Sequence, residues 1–138
     1  MSSEDNSKER LHDVFFYGLY KVPEILEQKG VNPRNPRKGS VEDFELKIGN
    51  MATLLRRKGK SAHGMVYSLN HDEIYTLYQG AGLNDYSAEA VAVKVENKII
   101  PALCCNLITP PKENESNREY ETKLKQAMEN LGLPWHHA

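Results

Sequence analysis

With 138 residues, 39% of them apolar and 27% charged, the chain can build one core in one domain, and no shift in composition divides it. A formal net charge of −1 provides no global attraction to a polyanion, and no apolar run approaches the length of a membrane span, so neither nucleic acid nor membrane is an expected partner. No leading segment has the pattern of a signal peptide, and the expected location is the cytoplasm.

The first residues, Met1 to Lys8, are polar, small and charged, and residues 1–12 are read as a disordered start. Val14-Phe15-Phe16-Tyr17 is a bulky, largely aromatic run suited to a buried strand, and Gly18 permits a sharp exit from it. Pro23 opens a short helical pattern, Glu24 to Lys29, which Gly30 closes. A strand–glycine–helix junction leaves backbone N–H groups pointing outward, which suits a carboxylate or carbonyl oxygen. Val31 to Gly39, with Asn32, Pro33, Asn35 and Pro36, has loop chemistry.

Phe44 to Ile48 alternates apolar and polar residues as a half-buried strand does. Ala52–Leu55 and Ala62–Leu69 read as a hairpin whose charged turn is Arg56-Arg57-Lys58-Gly59-Lys60. Without interleaved aromatics that basic cluster is a solvated tip rather than a phosphate-binding patch. Asn70 followed by Glu73 forms a capping box, and Ile74, Leu77 and Tyr78 recur at helical spacing up to Gly80. Val91–Val95 and Ile99–Ile108 make a second hairpin around Glu96-Asn97-Lys98.

Cys104 and Cys105 sit side by side in that hairpin. Neighbouring strand residues point to opposite faces, so a bridge between them is strained, and they lack zinc or redox spacing. They are read as small strand residues held reduced. Ser116 with Glu119 is a second capping box and Gly132 a helix stop, with Pro134 beyond it. Tyr120, Leu124, Ala127, Met128 and Leu131 share one face of this helix, while Glu119–Lys123 and Glu121–Lys125 are i,i+4 pairs on the other. Roughly six strands and three helices, mostly in antiparallel hairpins, make an α+β domain over 13–134 with a short tail at 135–138. The five histidines show no zinc-ligand spacing, and no metal or cofactor is expected. Tyr67, Tyr75, Tyr78 and Tyr86 suit either a pocket wall or a tyrosine-rich core.

The serial order of several short pieces narrows the reading. Tyr17-Gly18 is followed by Met51-Ala52-Thr53-Leu54-Leu55, then by Gly59-Lys60-Ser61-Ala62-His63-Gly64-Met65-Val66-Tyr67. Next come Asp72 to Gly82, the strand Val91-Ala92-Val93-Lys94-Val95 and a late Leu131-Gly132-Leu133-Pro134. In that order and spacing the set resembles the γ-glutamylcyclotransferase-like (AIG2-like) family across roughly residues 13 to 134. The resemblance implies a small, strongly curved or barrel-like, mostly antiparallel sheet flanked by helices.

It also implies a reaction, in which the free α-amine of a γ-glutamyl group attacks its own γ-carbonyl, expels the attached amine and leaves 5-oxoproline. Such a site must deprotonate an ammonium, hold a carboxylate, stabilise an oxyanion and protonate the leaving amine. The family assigns the acid–base role to the glutamate of a Leu-Asp-x-x-Glu-Gly helix end, and the ligand contacts to a Tyr-Gly-Ser loop. With Leu77 on that leucine and Gly82 on that glycine, Ala81 stands at the glutamate and Tyr78 replaces the aspartate. Leu19 replaces the serine of the first loop, removing a hydroxyl but keeping an amide.

The resemblance therefore implies ligand contacts from Tyr17, Gly18, Leu19, Tyr20 and Tyr86, with no assigned catalytic group. Asp85 and Glu89 are the candidate replacement carboxylates. Three readings follow. The chain binds a small ligand bearing a carboxylate or γ-glutamyl group, with cyclotransferase activity lost or weak. It is an active enzyme on γ-glutamyl amines, using Asp85 or Glu89. Or it is an interaction domain whose pocket is closed by Leu19 and Tyr78. The oligomeric state is left open.

Overall fold

The computed structural model describes residues 9–78 and 86–135. In chain order these form β1 (His12–Phe16), a 3-10 turn (Leu19–Lys21), α1 (Pro23–Gln28), β2 (Arg34–Ile48) and β3 (Ala52–Leu69). Then come α2 (His71–Tyr78), β4 (Tyr86–Val95), β5 (Lys98–Leu107) and α3 (Arg118–Leu131). The strands close into a barrel in the order β1-β3-β2-β4-β5. All ladders are antiparallel except the closing one, where β1 lies parallel to β5 at Val14 and Leu103. This is an α+β fold with a small, strongly curved sheet and flanking helices. None of the described helices is long and apolar enough to cross a membrane.

Alternation along the first strand explains its apolar density. Phe15 and Tyr17 point into the barrel with Val41, Leu54, Val66, Val93 and Cys104, a set drawn from every strand, and with Leu124 of α3. Val14 and Phe16 point the other way, onto Leu26 of α1, Leu77 of α2 and Met128 of α3. The strand is thus covered on both faces, and the chain leaves it at the half-buried Gly18.

Five strands stand where the sequence reading counted six. Ala52–Leu55 and Ala62–Leu69 are two ends of one continuous strand, and the basic run Arg56–Lys60 lies within it rather than at a hairpin turn. The true turn is at 49–51, where the Gly49 N–H donates to the Met51 carbonyl at 3.1 Å. The strand bends because the ladder with β2 shifts register between Glu42 and Phe44. Asp43, at φ 64°, sits in that bulge, and its Oδ1 accepts from the Gly59 amide at 3.0 Å. The run remains solvated, with Arg57 paired to Glu45 at 3.0 Å and the Arg56 guanidinium over the Phe44 ring.

A second bulge explains why Val31–Gly39 reads as loop while its C-terminal part, from Arg34, belongs to β2. The ladder to β3 skips from Arg34 to Arg37, so Asn35 and Pro36 occupy the bulge, where a residue lacking an N–H costs nothing. The second hairpin pairs as expected, Val93 opposite Ile100, but β4 reaches back to Tyr86 opposite Leu107. The first strand also starts earlier than Val14, at His12.

The helix ends follow their local chemistry closely. At α2 the capping box is reciprocal: the Asn70 amide donates to Glu73 Oε1 and the Glu73 amide to Asn70 Oδ1, both at 2.9 Å. At α3 the cap is Asn117, one residue later than the Ser116 box expected, because Asn117 Oδ1 accepts from the Tyr120 amide at 3.0 Å. Gly132, at φ 70°, takes the left-handed conformation that ends this helix.

Glu73 does more than cap. Its carboxylate also accepts from the Asn32 amide at 2.8 Å and from Arg34 at 2.7 Å, joining α2 to the start of β2. Burial pushes its carboxyl up, but Arg34 and the two backbone amides outweigh this and hold it below its ordinary value. The network's contribution is therefore complete above about pH 4.5 and is lost as pH falls through the lower native value. Glu73→Ala is expected to cost about 2–4 kcal/mol in urea unfolding at pH 7, and Glu73→Gln distinctly less. Equal costs for both would show that the charge and the pairing with Arg34 contribute little.

Candidate functional site

The strand–glycine–turn junction borders a cavity of about 360 Å³. Its wall is assembled from Phe16 to Tyr20, Ile25 of α1, Asn50 and Met51 of the β2–β3 turn, Ala52, Tyr78, Tyr86, Cys105 and Tyr120. All five residues expected to touch a ligand, Tyr17, Gly18, Leu19, Tyr20 and Tyr86, stand in this one wall. Leu19 and Tyr78 line the cavity and leave its volume open rather than filling it.

Two of the phenols are structural ties. Tyr17 donates to the Cys105 carbonyl at 2.6 Å, and Tyr86 to the Ala52 carbonyl at 2.6 Å, so each binds a different strand edge to the wall. Phe16, Tyr20, Tyr78 and Tyr86 form a continuous aromatic arc, successive ring centroids 6.3, 6.1 and 6.4 Å apart. Burial pushes the phenols of Tyr17 and Tyr78 well above their ordinary value and raises those of Tyr20 and Tyr120, so all four stay protonated at neutral pH. The Cys105 thiol, pushed up to about 11 by burial, is no nucleophile there either.

The loop amide that Leu19 retains is not simply presented to the cavity. It donates to Tyr120 Oη at 3.2 Å, so a side chain of α3 takes up a backbone group expected to face a ligand. Gly18 makes that approach possible for reasons of space rather than backbone freedom. Its φ is −98°, which any residue can adopt, but a Cβ there would lie 2.5 Å from Tyr120 Oη. With the hydroxyl absent, the next contact is the ring carbon at 3.9 Å, an ordinary distance. Gly18→Ala is therefore expected to cost about 1–3 kcal/mol in the native background and close to nothing in Tyr120→Phe. Equal costs in both backgrounds, measured by urea unfolding, would remove Tyr120 as the cause.

Behind the loop lies Lys21, completely buried, with its Nζ donating to the Tyr17 carbonyl at 3.1 Å. Tyr67, read from sequence as a pocket or core residue, is core, and its hydroxyl donates to the Lys21 carbonyl at 2.5 Å. Tyr75 is exposed.

Of the candidate carboxylates, Glu89 is described, and it is not among the lining residues. Asn106 Nδ2 donates to its Oε1 at 2.7 Å while Asn106 Oδ1 accepts from the Leu54 amide at 3.3 Å, so Glu89 is drawn onto the β4–β5 ladder. Ala81 and Asp85 lie outside the described residues. Among the described lining residues none carries a carboxylate, an imidazole or an ammonium. The described wall can enclose a molecule and offer it phenol hydroxyls, and it holds no group that exchanges a proton near pH 7. No cluster of three or more potential metal ligands occurs among the described residues. Asn50, Met51, Cys105 and Tyr120 were not identified in the sequence as wall residues. Only Tyr120 had a signal, being an aromatic with a hydroxyl at the end of a helical apolar face.

Several solved structures share this architecture. A γ-glutamyl cyclotransferase superposes with a TM-score of 0.73 at 20% identity, over 91% of this chain and 82% of that one. An AIG2-like protein from Mus musculus gives 0.59 at 20% identity, over 92% and 86%. A γ-glutamyl cyclotransferase specific to glutathione, from yeast, gives 0.65 at 14% identity, over 92% and 90%. The chain has the γ-glutamylcyclotransferase-like fold. No protein-family profile and no curated protein sequence matches it. Within this fold the cavity beside Gly18 is where the sequence resemblance sets its ligand loop, and the helix end that the resemblance assigns to the acid–base group falls in residues 79–85, outside those described.

Proposed function

We propose that this chain is a small-molecule-binding protein of the γ-glutamylcyclotransferase-like fold, taking an amino-acid-like ligand in the cavity beside Gly18 and having little or no cyclotransferase activity. The observation that carries this is the wall itself: the loop residues converge on an open cavity whose described lining contains no proton-transfer group. The alanine at position 81 supports the same reading from the sequence, since a methyl group neither gives nor takes a proton. The test has two arms. Incubation with γ-glutamyl amines and γ-glutamyl dipeptides is expected to release 5-oxoproline barely above background. Binding, followed through the Met51 and Ile25 methyl resonances, is expected for small amino-acid derivatives. Robust turnover abolished by Asp85→Asn or Glu89→Gln would overturn the reading and identify the base.

A further inference from the structure

The cavity's charge and surface restrict what it can hold. Its described lining includes no lysine, arginine or histidine, and the undescribed stretch Gln79-Gly80-Ala81-Gly82-Leu83-Asn84-Asp85 contains none in its sequence. Lys21, the amine just behind the loop, is fully buried, points its Nζ at the Tyr17 carbonyl, and is not part of the wall. A carboxylate placed inside would thus face no cation, and the Leu19 amide is already directed at Tyr120 Oη.

What the wall does offer is aromatic surface and neutral hydrogen bonds. The arc Phe16–Tyr20–Tyr78–Tyr86 presents ring faces and edges at stacking distance. Tyr120 Oη accepts from Leu19 and has its own hydrogen to donate, a suitable partner for a carbonyl oxygen. The volume lies at the lower end of the range for small-molecule pockets.

We infer that the cavity selects a neutral, aromatic amino-acid amide or similar carbonyl compound, its ring against the tyrosine arc and its carbonyl on Tyr120, and rejects the same molecule bearing a free carboxylate. This rests on the small-ligand reading above and departs from the expectation of a carboxylate or γ-glutamyl ligand. The neutral molecule satisfies the donor and the rings without bringing a charge, whereas a glutamyl group brings an α-carboxylate that meets no cation in the described wall.

A matched pair isolates that charge. N-acetyl-L-phenylalaninamide and N-acetyl-L-phenylalanine differ only in amide against carboxylate, and γ-L-glutamylglycine serves as the glutamyl probe. Titrations at pH 7.5 follow the methyl resonances of Met51 and Ile25, which report binding at this wall and not elsewhere. The amide is expected to bind at least tenfold more tightly than either carboxylate compound, and Tyr120→Phe to weaken it severalfold while leaving the aromatic arc in place. Equal or tighter binding of a carboxylate compound at the same resonances would overturn the neutral-ligand inference and leave the small-ligand reading standing. Failure of all three probes to perturb those resonances would overturn both. An unaltered affinity in Tyr120→Phe, with the amide still preferred, would remove Tyr120 as the carbonyl partner and with it the assigned pose.

Discussion

Lys21→Met is expected to stabilise the protein most strongly below pH 7 and progressively less as pH rises. Lys21 has no solvent exposure, and burial lowers its ammonium to about 7 from 10.5. A depressed native value means that between those limits the unfolded chain holds a proton that the native state does not. Stability therefore rises with pH through this window, and the full penalty for burying the charge is present below about pH 7. The gap corresponds to a penalty on the order of 4–5 kcal/mol, offset in part by the bond from Nζ to the Tyr17 carbonyl. Methionine fills a similar volume without the charge but leaves that carbonyl unpaired, so a net gain of about 2 kcal/mol at pH 6 is expected.

Buried thiols and phenols act in the opposite sense at higher pH, since Cys105 is pushed up to about 11 and Tyr67 to about 12. They are common to both proteins and cancel in the difference. Urea unfolding of native protein and Lys21→Met at pH 6, 7, 8 and 8.5 should give curves that converge as pH rises. A difference independent of pH would mean that Lys21 keeps an ordinary, solvated charge.

The second large effect is catalytic. Loss of a general acid–base group typically costs a factor of about 10² to 10⁴, so the native chain should release 5-oxoproline from γ-glutamyl substrates slower by that order than a relative retaining the carboxylate. Ala81→Glu is expected to raise turnover measurably above background at substrate concentrations high enough to offset weak binding of the γ-glutamyl carboxylate, provided that Leu77 and Gly82 stand on the motif's leucine and glycine. Recovery should remain partial for two reasons. Leu19 provides no hydroxyl, and its amide donates to Tyr120 Oη, so neither group of that residue is free to hold an oxyanion. Adding Tyr120→Phe to Ala81→Glu frees that amide and should raise the rate further. Turnover unchanged by Ala81→Glu, alone or with Tyr120→Phe, would show that position 81 carries no catalytic message in this chain.

What was legible in the sequence was local, and what was missed was set by partners far along the chain. The apolar run Val14 to Tyr17, the box of Asn70 and Glu73, the β4–β5 hairpin and the Gly132 stop each carry their signal within one element or one turn, where side-chain period and capping chemistry act directly. The run Arg56–Lys60 was misread because charge and a glycine are equally suited to a turn and to an exposed bulge. Only the bond between Asp43 and Gly59, and the continuing ladder to β2, decide for the bulge.

The site divides along the same line. The sequence by itself determined the hairpin pattern and the strand–glycine junction, and its resemblance to the family implied a barrel-like sheet and five of the residues around one cavity. Tertiary structure alone decided that Tyr120, 101 residues beyond Leu19, takes up the loop amide, that Glu89 is drawn to Asn106, and that Lys21 is sealed behind the wall. Hydrogen-bond partners and desolvation depend on which distant elements barrel closure brings together, and no local pattern encodes that.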